Sequence, residues 1–226
     1  MEAHDRFDEH GFLSIEITDN AGRLRADSTD WFELADDLNA SLMRVANFAT
    51  GAIKTSSWDP KAVAVRVLLR SCGALQGVII LTERGMVAEG RSLVRSLLEN
   101  AFCIAALVAE PDIFTEMLRN DSEASRQGQR KFIDAQNLIA DGAARDRLKE
   151  MIGEVGKIGA MNLKTVAELG AVLDLYLAYQ RLSDDAAHLS ARSLNRHVQP
   201  NECAIFGQMD HQATLYVRPG SRPILD

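Results

Sequence analysis

Proline, cysteine and tryptophan are all scarce in this chain, at 5, 3 and 2 of 226 residues. So few prolines exclude collagenous and proline-rich linker classes and leave room for long uninterrupted helices. Cys72, Cys103 and Cys203 are odd in number and far apart, which excludes a disulfide framework and fits a reducing compartment, so a cytoplasmic location is expected. Basic residues are outnumbered, with Lys plus Arg at 25 against Asp plus Glu at 32 and a formal charge of −7. Such a surface repels phosphate, so nucleic acid and anionic membranes are disfavoured as partners. Long apolar runs are also lacking. The longest, Ala101 to Ala109, is less than half of the ~20 residues that a spanning helix uses, and the first ten residues carry neither a basic region nor an apolar core of a signal peptide. A soluble protein with no membrane association is expected. There is no Gly-x-Ser-x-Gly elbow, Walker loop, Gly-x-Gly-x-x-Gly after a strand, or Cys-x-x-Cys.

What is present is a globular composition, 46% hydrophobic and 25% charged, with apolar residues at helical spacing. The expected fold is mainly α, a bundle of about six to seven helices in one domain, with a small β element from the N- and C-terminal segments. Residues 1–29 read as a polar N-terminal segment in which Phe12 to Thr18 partly alternates before a turn at Asp19 to Gly22, suggesting a short strand. Residues 30–200 form the helical bundle. Residues 201–226 form a tail in which Ala213 to Val217 suggests a second strand.

Within the bundle, Ser28, Thr29 and Asp30 cap a helix carrying Trp31, Phe32, Leu34, Leu38, Leu42, Val45 and Phe48. Asp59 and Pro60 start the next, which runs toward Gly85. A third covers about Met86 to Glu110 and stops at Pro111. One of its faces is wholly apolar and the reverse carries Ser92, Ser96, Asn100 and Cys103, as expected of a central helix touched on both sides. Asp112 caps a fourth helix, whose stretch Arg119 to Lys131 has no large apolar residue and reads as a solvated, projecting arm. Asp141-Gly142 breaks the chain before a charged helix. Asn162 caps a short one, and Ser183, Asp184 and Asp185 cap a last helix through His197.

Two polar stripes interrupt this apolar pattern. Arg91, Arg95 and Glu99 follow one another at i,i+4 on the third helix, and Asp184, His188 and Arg192 repeat that spacing on the last. If the stripes meet, a guanidinium–carboxylate pair and an imidazole would gather inside the bundle. That arrangement would either fix helix register as an ion-pair network or bind a small anionic ligand through the forked donors of Arg95, oriented by Glu99. The leading functional expectation is therefore a binding or interaction module with an internal Arg/Glu/His site and no cofactor. Enzymatic activity is left open. Asp185-Ala-Ala-His188 is a single carboxylate–imidazole motif where a dimetal bundle needs two plus further carboxylates, so no metal is expected.

The segment Arg91-Ser-Leu-Val-Arg-Ser-Leu-Leu-Glu99, together with Tyr179 to Ser183 running into Ala187-His188-Leu-Ser190, resembles a bacterial all-helical family of unknown function over roughly residues 30–200. The resemblance implies a helical bundle in which Arg95, Glu99 and His188 come together, and it implies no reaction. A second, more distant resemblance is carried by Arg192 and His197. Their spacing is similar to that of HEPN-type RNases, so an RNase or RNA-binding protein of a toxin or phage-defence system is the alternative. Five residues on a helix separate two side chains by about 140°, so that pair would converge only at a helix end or across a dimer. Finally, the helices at 31–54 and 61–84 carry more large apolar residues than one neighbour each can cover, and Trp31, Phe32 and Trp58 lie near helix ends. A homodimer is expected.

Overall fold

The computed structural model describes residues 10–53, 56–153 and 159–184. Over these residues the chain is helical: a 3-10 turn at Gly11–Leu13, then α1 (Ile15–Asp27), α2 (Thr29–Ala52), α3 (Pro60–Glu83), α4 (Val87–Ala109), α5 (Pro111–Ala135), α6 (Gly142–Gly153), α7 (Leu163–Leu169), a second 3-10 turn at Leu173–Leu175, and α8 (Tyr176–Leu182). No strand occurs among the described residues. The N-terminal strand expectation is overturned by a cap: Ser14 Oγ accepts the Ile17 amide and starts α1. Ile17, Ala21 and Leu24 then follow helical rather than alternating spacing, and Gly22 lies inside the helix instead of in a turn. The expected strand at 213–217 lies outside the described residues.

Capping chemistry explains most boundaries. Asp59 accepts from the Lys61 amide at 2.8 Å with Pro60 as the first residue of α3. Asp141 accepts from Ala144 N at 2.9 Å to start α6, and Asn162 from Lys164 N at 2.9 Å to start α7. At α5 the start differs from expectation, because Pro111 itself is helical and Asp112 lies in the first turn instead of capping. Three helices end in Schellman motifs, in which an amide bonds five residues back and the preceding residue is left-handed. Met86 N reaches Leu81 O after Gly85, Leu138 N reaches Ile133 O after Asn137, and Val172 N reaches Ala167 O after Ala171.

The chain forms two compact units. Among the described residues, one comprises 10–52, 68–100 and 177–184. Its buried residues include Ile17, Phe32, Ala46, Cys72, Leu75 and Tyr179. Arg25 ties three of its helices: the guanidinium pairs with Asp36 of α2 through two hydrogen bonds of 3.0 and 3.2 Å, pairs with Glu83 of α3, and lies 4.9 Å from the Phe32 ring centre. The other unit comprises Ile53–Val67 and Ala101–Tyr176, with Phe102, Ala106, Phe114, Val166 and Ala167 wholly buried. In it the supposed arm Arg119 to Lys131 is an ordinary part of α5. Glu123 pairs with Arg126 and Arg130, Gln127 is buried, and Asp121 accepts the Met161 amide. Trp58 is covered by the Arg66 and Arg119 guanidinium groups, so neither it nor buried Phe32 is an exposed aromatic. Trp31 is exposed.

By length and composition, α3 and α4 are apolar enough to cross a bilayer, although no long unbroken apolar run exists. Single Ser, Gly and Arg residues interrupt the runs while leaving the average hydropathy high. Core helices of soluble proteins satisfy the same criterion.

Candidate functional site

The α3–α4 hairpin sets the site's register. Gly85, at φ 77°, turns the chain at its tip. Gly77 and Leu93, equally far from that turn, meet so closely that a Cβ on Gly77 would stand 2.6 Å from Leu93 Cδ1. Carrying that antiparallel register two turns further brings Arg70 of α3 beside Glu99 of α4, with Arg70 Nη2 3.6 Å from Glu99 Oε2. Glu99 Oε1 in turn pairs with Arg95 Nη2 at 3.0 Å, one turn back on α4.

Arg95 is the centre of the cluster. Its Nε donates to Ser183 Oγ at 2.8 Å and its Nη2 to Tyr179 Oη at 2.9 Å. The Tyr179 ring lies beneath it, with the guanidinium carbon 5.0 Å from the ring centre. Ser183 Oγ donates to the Tyr179 carbonyl at 3.0 Å. Tyr179 and Ser183, four residues apart, share one face of α8 and its continuation. Tyr179 is buried; Glu99 retains 16% of its side-chain exposure, and Arg70 is open to solvent at 61%. The Arg95–Glu99 pair expected from spacing is present, and Tyr179 and Ser183 join it. The chain continues helically through Ser183 and Asp184, so Ser183 does not cap a helix there. It faces Arg95, whereas Asp184, about 100° further round, is exposed. Arg91 lies one turn before Arg95 and is half-buried. His188, Arg192 and His197 lie outside the described residues.

Asn100 is 1% exposed and its Nδ2 has no hydrogen-bond partner. It belongs to the stripe of small polar residues beside the cluster, where Ser96 Oγ donates back to the Ser92 carbonyl at 3.3 Å. Among the described residues no group of three or more His, Cys, Asp or Glu side chains could hold a metal ion.

Comparison with known proteins adds one finding. Residues 61–205 match the model of a family of unknown function, DUF5677. The chain belongs to that family. No curated protein and no solved structure matches it. The DUF5677 match takes in every residue of the cluster, Arg70, Arg95, Glu99, Tyr179 and Ser183, and excludes α1 and α2.

Proposed function

We propose that the protein is a water-soluble binding module that takes a small anionic ligand, a carboxylate or phosphate, at the Arg95 cluster. The observation that carries this reading is a charge imbalance. Two guanidinium groups, Arg70 and Arg95, share the single carboxylate of Glu99. Among the described residues one positive charge of this cluster has no carboxylate of its own, on a chain whose overall charge is −7. Arg95 has its Nε and Nη2 committed to Ser183, Tyr179 and Glu99 and serves as the fixed member. Arg70, long-paired and largely exposed, is the member free to swing its planar fork onto two ligand oxygens. Placing charges such as the exposed Arg70 head in hydrocarbon costs several kcal/mol, which favours reading α3 and α4 as helices of a soluble protein. The cysteine pattern favours the cytoplasm.

Thermal unfolding at constant ionic strength, with inorganic phosphate or succinate titrated in, tests the reading. A saturable rise in melting temperature is expected for at least one of them, and Arg70→Gln should abolish it without altering the helical circular dichroism. A rise that never saturates, or one unchanged in Arg70→Gln, would assign the cluster to helix register alone.

A further inference from the structure

α2 has two apolar faces, and the described residues cover only one of them. The inner face holds buried Phe32 and Ala46 with half-buried Ala35, Asn39, Leu42 and Ala49, and Asn39 accepts a 3.1 Å hydrogen bond from Gln76 of α3. The outer face carries Trp31, Leu34, Leu38, Ser41, Val45 and Phe48, at alternating steps of three and four. That is the seam of a coiled coil. Its large members are uncovered: Trp31 is 75% exposed, Phe48 81%, and Leu34, Leu38 and Val45 half or more. Scattered surface apolar residues are ordinary, but a continuous seam along a 24-residue helix is not.

We propose that this face pairs with the same face of a second copy of the chain, with the two α2 helices antiparallel about a two-fold axis. Antiparallel packing sets Trp31 against the partner's Phe48, Leu34 against the partner's Val45, and Leu38 against the partner's Ser41, so that each large ring meets another and the small Ser41 lies near the axis. The flanking charges then complement each other. Asp37 and Arg44, seven residues apart along one edge of the seam, come opposite the partner's Arg44 and the partner's Asp37, and the symmetry makes that pair twice. Parallel pairing would instead put Asp37 beside the partner's Leu42 and waste both charges. The area is sufficient. Two copies bring four aromatic rings, each burying ~150–250 Å² when covered, besides the Leu and Val side chains, and the total is on the order of the ~1,000 Å² that a specific interface needs.

Sedimentation equilibrium of the full chain should return about twice the 24.8 kDa chain mass. Leu38→Glu should give a monomer that keeps its helical circular dichroism, since the side chain it replaces is exposed. Asp37→Arg alone and Arg44→Asp alone should each weaken association by about tenfold or more, and the double reversal should restore it, because the pair re-forms with its signs exchanged. A chain that is monomeric at every concentration, a dimer indifferent to Leu38→Glu, or a double reversal that stays as weak as the single changes would overturn the proposal. So would flotation of a monomeric wild-type chain with phosphatidylcholine vesicles, which would give the face to a membrane.

Discussion

Arg95 is held by three kinds of interaction at once: hydrogen bonds to two hydroxyls, an ion pair, and the face of an aromatic ring. Each partner can be removed separately, and the expected costs differ. Tyr179→Phe deletes one acceptor while keeping the ring, and unfolding experiments should show a loss of about 1–2 kcal/mol. Glu99→Gln leaves both guanidinium groups without a carboxylate, and the one on Arg95 is largely shielded from solvent, so it should cost more, about 2–4 kcal/mol. Arg70→Ala removes only a long, solvent-exposed pair and should cost under about 1 kcal/mol. An Arg70 effect as large as that of Glu99 would contradict this ranking. The Arg95–Glu99 pair was legible in the sequence because i,i+4 spacing is local. The choice between Ser183 and Asp184 as the residue facing Arg95 was not, since adjacent helical positions differ by about 100° and capping residue types suggest a helix start at Ser183, where the chain stays helical through Asp184. Arg70 required the hairpin register, which depends on the close contact at Gly77.

Helix ends carry the clearest local consequences. Ala171 adopts the left-handed conformation, φ 54°, that closes α7. A Cβ is unfavourable there, so Ala171→Gly should stabilise the fold by about 0.5–1 kcal/mol despite the added freedom of the unfolded chain. Its neighbour behaves oppositely. A Cβ at Gly170 would stand 2.8 Å from the Ala106 backbone nitrogen and 2.7 Å from Ala105 Cβ, so Gly170→Ala should cost about 1–3 kcal/mol, because backbone must move to admit it. Paired urea titrations of the two variants check both signs. The caps at Asp59 and Asn162 and the breaks at Pro111 and Asp141 could be read from residue type, because each rests on chemistry within a few residues. α1 could not. Its Ile15 and Ile17 alternate by coincidence, and the segment is held by longer-range bonds, Arg84 Nε to the Phe12 carbonyl at 2.9 Å just before the helix and Arg25 of the helix to Asp36. The arm-like stretch of α5 was misread for the same reason, its polar residues being satisfied by one another and by the distant Met161 amide.

At the scale of the molecule, two carboxylates tie stability to pH. Hydrogen bonds from Arg25 hold Asp36 below its usual value, and the hydrogen bond from Arg130 does the same for Glu123, in each case outweighing desolvation. A lowered folded-state value means the folded chain releases its proton more readily than the unfolded one. The contribution is therefore present at neutral pH and is lost as pH falls from the unfolded value, ~4, through the lowered one. The melting temperature should drop over that acid range, and Asp36→Asn should make the drop shallower; an unchanged slope would contradict the assignment. The Arg95 cluster and the outer face of α2 share no residue, so a monomeric variant such as Leu38→Glu should keep whatever anion affinity the wild type has. The most direct measurement is calorimetric titration of inorganic phosphate into three proteins of matched purity: wild type, Arg70→Gln, and Arg147→Gln, which removes an equal charge from α6. Saturable heat in the wild type and Arg147→Gln, absent in Arg70→Gln, is the predicted result; heat that is absent from all three, or equal in all three, would contradict an anion site at Arg95.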